Sequence, residues 1–206
     1  MLWVLIGLAY LLGSISGSLW VGKIYAVDIR TQGSGNAGGT NAFRTQGLKF
    51  ALAVVVIDIG KGLMAAYIAQ RLLPATNHAP FIALFAAVIG HIWPIFHGFR
   101  GGKGAATLVG GLILIWPQAL GLFIAVWLLC LLLSGYVGLS TVLAAISLVL
   151  SAYVFDGSTN QWFFAIGSAL LITFSHRSNL QRLVQGTESR FEKARILGRL
   201  LFPRHG

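Results

Sequence analysis

The stretch LKFALAVVVIDIGKGLMAAYIA, Leu48 to Ala69, decides the fold class. As one helix it is long and apolar enough to cross a hydrocarbon core about 30 Å thick, which takes about 20 residues. Yet Asp58 and Lys61 lie in its middle. At i and i+3 these side chains face one another and can pair, which lowers the cost of burying each. Charges inside a membrane segment usually look toward a polar interior. The pair therefore has two readings: a structural ion pair, or an acid that orients Arg44 or Lys103 from behind.

The rest of the chain repeats the apolar theme. Of 206 residues, 56% are hydrophobic and 10% charged, against about 25% charged in a soluble domain. Apolar runs cover roughly residues 2–22, 48–69, 81–96, 105–116, 118–133, 137–155 and 162–174. The expectation is an all-α polytopic integral membrane protein with about seven transmembrane helices. Pro117 separates the fourth run from the fifth. Several runs fall short of about 20 residues and must tilt little, thin the bilayer or extend into polar flanks. The N-terminal run lacks a basic start and a small-residue cleavage site, so it reads as a span and not a leader. Cys130 is the one cysteine and lies in an apolar run, which excludes an intrachain disulfide and suits an inert thiol.

The net charge is +10, unevenly spread. With seven spans, one side collects Lys23, Arg30, Arg44, Lys49, Arg100, Lys103, Arg177, Arg182, Arg190, Lys193, Arg195, Arg199 and Arg204, and the other only Arg71. Positive charge stays cytoplasmic, so the N-terminus is expected outside and the C-terminus inside. Trp93, Trp116, Trp127 and Trp162 near run ends suit aromatic belts. With no internal repeat or linker, residues 1–192 read as one membrane domain and 193–206 as a basic cytoplasmic tail.

Three polar segments land on the basic side. The first is Gly33-Ser34-Gly35-Asn36-Ala37-Gly38-Gly39-Thr40-Asn41-Ala42-Phe43-Arg44. It contains G-x-G-x-x-G, but no strand precedes it and a span follows, so the dinucleotide reading fails. Glycine amides, hydroxyls, side-chain amides and a guanidinium are the parts that hold a phosphate, and a plain turn needs few of them. The second runs from Gly90 to Gly104 and ends Arg100-Gly101-Gly102-Lys103-Gly104. It is not a Walker A loop, because His97 and Gly104 stand where glycine and Ser/Thr belong. Lys103 and its glycines still open a helix, as phosphate sites do; interfacial anchoring is the plainer reading. His91 is as readily structural as catalytic. The third is Ser175 to Glu188, where a helix would place His176, Asn179 and Arg182 on one face. For the later basic residues, contact with anionic membrane lipid suffices.

Together these stretches (GSGNAGGTNAFR, GHIWPIFHGFRGGKG and HRSNLQRLVQGTE, with IDIGKG at 57–62) resemble, in order and spacing, the bacterial acyl-phosphate:glycerol-3-phosphate acyltransferases. The resemblance covers residues 1 to about 192. It implies an enzyme of the bacterial inner membrane, multi-pass, with its active site at the cytoplasmic face. Such an enzyme moves a fatty acyl group from acyl phosphate to the 1-hydroxyl of sn-glycerol 3-phosphate, the first step of phosphatidic acid synthesis. It implies that Ser34, Thr40, Arg44, Gly102 and Lys103 hold phosphate, that Asn36 and Asn41 shape the loop, and that His176 and Asn179 contact glycerol phosphate. A hydroxyl at the start of the sixth span is implied as well, and Ser140 and Thr141 both fit. The residue types agree with direct transfer: the histidines are scattered, no metal set appears, and no serine or cysteine stands beside a histidine in an obvious nucleophile arrangement. No cofactor and no nucleic-acid partner is expected. The rival is a transporter or channel for a phosphate-bearing anion. It would place polar groups through the full membrane depth and often repeat internally, whereas here they cluster on one side.

Overall fold

The computed structural model describes residues 1–201 and is helical throughout, with no strand among the described residues. The helices are α1 (Leu2–Gly13), α2 (Gly17–Ile24), α3 (Gly39–Gln46), α4 (Leu48–Leu72), α5 (Ala79–Ile92), α6 (Ala105–Ile115), α7 (Pro117–Ser134), α8 (Val137–Val154), α9 (Thr159–Ser175), α10 (Arg177–Val184) and α11 (Ile196–Leu201). Every apolar run in the sequence is helical. Not every helix can cross a membrane alone. By length and apolarity four segments qualify, namely α4, Ala79–His97, α7 and α8, or five if α1 and α2 form one bent span. This falls below the expected seven for physical reasons. The first run is not one helix: α1 and α2 meet at a 42° bend across Ser14–Ser16. The fourth, α6, has 11 residues, a rise of only about 16 Å. At 17 residues, α9 is also short.

The chain forms two compact units, Met1–Pro117 and the residues from Gln118 onward. In the first, α4 is the hub, packed against α1, α2, α3, α5 and α6. Small residues permit the close approach. A methyl on Gly110 would strike the carbonyl of Ile59, and one on Gly62 that of Thr107. Leu5 and Ala9 of α1, Ala65 and Ala69 of α4 and Ala83 and Ala87 of α5 form a tight buried layer. A second layer (Val21, Ile29, Ala42, Phe50, Ala51 and Val54) seats the loop after α2 and helix α3.

In the second unit, α8 packs against α9 and α10. Ser158 and Gln161 form a capping box that starts α9. Beyond α10 the chain folds back: the Phe191 N–H donates to Gly135 O at 2.8 Å, and the Arg190 guanidinium lies 4.6 Å from the Tyr136 ring centre. The residues just before the 193–206 tail thus contact the α7–α8 turn; Arg204 lies outside the described residues. Leu52, Val56, Leu128, Leu129, Phe163 and Leu170 are exposed, an outer surface suited to lipid tails and too apolar for water.

Candidate functional site

The first polar segment is a loop braced from within. Asn41, on α3, is buried, and its amide is fully engaged. Its Oδ1 accepts from Ser34 N at 2.9 Å, and its Nδ2 donates to Ile29 O and Gln32 O, both at 3.0 Å. Gly33 and Gly35 turn the chain with φ of 56° and 70°. The braced loop leaves Ser34, Thr40 and Arg44 exposed and Asn36 half-buried. No side chain caps the first turn of α3 at Gly38, so Gly39, Thr40 and Asn41 bring helix N-terminal amides to this edge.

Arg30 ties this loop to the second segment. Its guanidinium is gripped by Asp28 at 2.7 Å, and Nη1 donates to His97 O at 3.1 Å and Arg100 O at 3.4 Å. The Arg30 hydrogen bond holds the Asp28 carboxyl below its ordinary value. After Arg100 the chain turns back along the end of α5: Gly101 N donates to Ile92 O at 3.2 Å and Gly102 N to His91 O at 3.1 Å. Gly104 then enters α6 from the left-handed region, so Lys103 stands immediately before that helix. Gly102 is buried, wedged between the His91 ring and Ala37 O.

Beneath both loops lies a polar cluster. Asp58 Oδ1 is 3.1 Å from Lys61 Nζ and 3.4 Å from His91 Nδ1, and accepts from Gly17 N at 3.2 Å. Lys61 Nζ also donates to Gly13 O and Ile15 O, both at 2.7 Å. The expected i,i+3 pair is present. Its position accounts for the bend between α1 and α2, because Lys61 takes up carbonyls that the break releases. Ser18, just past the bend, donates to Ala37 O at 3.0 Å.

In the second unit, the third segment is two helices with His176 at their junction. His176 is buried, and its Nδ1 is 2.8 Å from Ile172 O. A carbonyl only accepts, so Nδ1 carries the proton and Nε2 is the basic nitrogen of the neutral ring. Ser175 Oγ lies 3.2 Å from the same Nδ1 and donates to Ile172 O. A protonated Nδ1 cannot take a proton from Ser175, so this adjacency makes no nucleophile. Asn179 packs on Gly138 at the start of α8 and donates to Glu188 Oε1 at 2.7 Å. Arg182 Nε takes the other oxygen, Oε2, also at 2.7 Å. The Thr141 hydroxyl is engaged twice, accepting from Trp127 Nε1 at 3.1 Å and donating to Val137 O at 2.8 Å. Ser140 donates to Tyr136 O at 2.8 Å. Among the described residues no group of three His, Cys, Asp or Glu is placed to hold a metal ion.

The family model described as glycerol-3-phosphate acyltransferase matches residues 3–186, a range that contains all three segments apart from its last two residues. The chain belongs to the glycerol-3-phosphate acyltransferase family. The glycerol-3-phosphate acyltransferase of Chlorobaculum tepidum is 40% identical, the alignment covering 93% of this chain and 97% of the relative. That of Aquifex aeolicus is 39% identical over 89% and 95% of the two chains. The crystal structure of PlsY (YgiH), an integral membrane glycerol 3-phosphate acyltransferase in its glycerol 3-phosphate form, superposes with a TM-score of 0.88. It shares 37% identity and covers 95% of this chain and 98% of that one. Its lysophosphatidic acid form gives a TM-score of 0.86.

Within the first unit of this family member, Arg30 and Gly102 bring the Ser34–Arg44 and Gly101–Lys103 segments together. Within the second, Asn179 meets the start of α8, which carries Ser140 and Thr141. Four participants were not assigned from the sequence: Ser18, Arg30, His91 and Glu188. Glu188 lies within the third segment and His91 within the second, each without an assigned role; Ser18 and Arg30 act across long separations that no local pattern records.

Proposed function

We propose that this chain transfers a fatty acyl group from acyl phosphate to the 1-hydroxyl of sn-glycerol 3-phosphate. The observation that carries the reading is the family match extending across residues 3–186 with the three polar segments in order. The hydroxyl oxygen attacks the acyl carbonyl carbon, and the carbonyl electrons move to oxygen. As they return, the carbon–oxygen bond to phosphate breaks. Inorganic phosphate leaves, and 1-acylglycerol 3-phosphate remains. A mixed anhydride is already activated, so positioning and charge neutralisation supply most of the catalysis.

Ser34, Thr40, Arg44, Gly102 and Lys103 hold phosphate groups, with Asn36 and Asn41 shaping the loop that presents them. His176 and Asn179 hold glycerol 3-phosphate, Asn179 being oriented by Glu188. Ser140 supplies the α8 hydroxyl: both hydroxyls donate to the carbonyl four residues back, but that of Thr141 also accepts from Trp127. The hydroxyl proton goes to the substrate's own phosphate, whose second pKa is near 6 by analogy with phosphoserine. Residues 1–192 form the acyltransferase, in the bacterial inner membrane with the polar segments at the cytoplasmic face; 193–206 is a tail touching anionic lipid.

The test is turnover of purified protein with radiolabelled glycerol 3-phosphate and either acyl phosphate or acyl-CoA. Product from acyl phosphate alone is expected. Equal rates from acyl-CoA would refute the donor assignment, because a thioester has no phosphate to leave.

A further inference from the structure

We infer that His91, backed by Asp58 and Lys61, is a positioning residue that sets the Gly101–Gly104 turn against Ala37, so that both glycine loops meet one phosphate-bearing substrate. The inference rests on the proposal that these loops hold phosphate.

The cluster does more than stabilise a bend. Asp58 and Lys61 already account for the break between α1 and α2, through Gly17 N, Gly13 O and Ile15 O. His91 adds nothing there. Its Nδ1 edge faces Asp58, and its Nε2 edge faces Gly102. Burying an ion pair and an imidazole is a poor route to stability, since apolar side chains of the same size fill such space at less cost. What an imidazole provides is a flat, oriented wall. Gly102 rests on that wall, and its N–H is bonded to the backbone carbonyl of the same residue. A second route leaves the same carboxylate: Gly17 N is fixed by Asp58, and Ser18 next along α2 holds Ala37 O. The routes rejoin where Gly102 lies against Ala37 O. A closed circuit (Asp58, His91, Gly102, Ala37, Ser18, Gly17) therefore fixes one loop relative to the other, and Lys103 follows directly. None of its side chains needs to touch substrate.

The experiment is a double-mutant cycle on the full-length protein, read as KM and kcat in acyl transfer and as glycerol 3-phosphate binding by calorimetry. His91→Asn keeps a polar side chain toward Asp58 and removes the Nε2 wall. The expected result is a KM or Kd raised about tenfold, with kcat within about threefold and the melting temperature unmoved, the signature of lost positioning and not lost fold. Gly102→Ala drives a methyl into Nε2 and should cost about a hundredfold. In the His91→Asn background that side is open, so the added cost should fall to about tenfold or less, a coupling within the range for contacting residues. Independent effects that multiply within about twofold would overturn the inference. So would a His91→Asn protein that melts earlier with KM and Kd unchanged. Lys103→Ala in the same assays separates the two ideas. Full activity there sinks the phosphate reading whatever the cycle gives; an inactive Lys103→Ala with an additive cycle sinks the positioning role alone.

Discussion

Asn41→Ala should disable the first loop without unfolding the protein. The side chain makes three hydrogen bonds, one of them to Ile29 O in a fully buried setting and two at part-buried positions. Ile29 O still accepts from Gln32 N and Gln32 O from Gly35 N, so no carbonyl is stranded; each lost bond costs about 0.5–1.5 kcal/mol, and the braced form loses roughly 1.5–4.5 kcal/mol relative to open ones. All three bonds lie within residues 29–41, so the loss falls on the loop and not on the α4 hub. If only the braced loop binds phosphate, apparent affinity falls by the fraction of molecules that remain braced. At about 3 kcal/mol that is roughly a hundredfold rise in KM for a substrate held there, with kcat at saturation much less affected. Asn41→Asp should be no better, because it keeps the acceptor for Ser34 N but turns both donations into carboxylate–carbonyl repulsion. The assays are KM and kcat in detergent or nanodiscs, and amide hydrogen exchange at Ser34. A variant with normal KM and a still-protected Ser34 amide would refute the brace. A large fall in kcat with KM and exchange unchanged would mean that Asn41 touches the reacting groups.

Lys103→Ala removes a charge-assisted contact expected to contribute about 2–4 kcal/mol, so activity should fall roughly 30- to 1000-fold; a folded variant within about threefold of the parent makes Lys103 a membrane anchor. His176→Gln should mainly raise KM for glycerol 3-phosphate, as should Asn179→Ala; a drop of more than about a thousandfold in kcat at saturating glycerol 3-phosphate, with intact binding, would make His176 the general base. The Asp28–Arg30 latch has a definite pH sign. The folded carboxyl is held below its ordinary value, so the latch is intact above the unfolded value of about 3.9 and is lost only as pH falls through the lower folded one. Asp28→Asn should loosen residues 97–100 at neutral pH, seen as faster amide exchange, whereas the parent should not loosen there between pH 5 and pH 8, roughly. Exchange rates equal in the two proteins would dismiss the latch.

The helices within the apolar runs were legible because apolar length alone marks them; the short polar α3 and α10 were not marked that way. The sixth run, expected at 137–155, is α8, Val137–Val154. The break in the first run was not legible. Nothing local marks Ser14–Ser16 more than a tolerated polar patch; the bend is enforced by Lys61, 46 and 48 residues away along the chain. The pairing of Asp58 with Lys61 followed from helix spacing, but its partners His91 and Gly17 did not. Likewise the His176–Asn179 spacing suggested one continuous helical face, whereas His176 sits at the junction before α10. Asn179 is oriented by Glu188, nine positions on. Spacing reveals partners on the same element; it says nothing of those that arrive from another.

That division has a chemical logic. Glycine-rich loops expose the amides a phosphate needs, but fixing each residue costs about 1–2 kcal/mol of backbone entropy, and glycine loses the most. If the loops had to be ordered by substrate, that cost would come out of binding. In the first unit the ordering comes instead from side chains set back from the loop edge: Asn41 under Ser34, Ser18 behind Ala37, Arg30 across to Arg100, and His91 behind Gly102. Each bonds to or packs against backbone atoms, so each can set the shape of a loop without contributing a group to the reaction. For a donor that is already a good electrophile, holding two partners in line is most of what an enzyme must do. The residues that do so need not resemble catalytic ones in composition, charge or spacing, which is why a reading of motifs finds the loops, and Asn41 within one of them, but passes over Ser18 and Arg30.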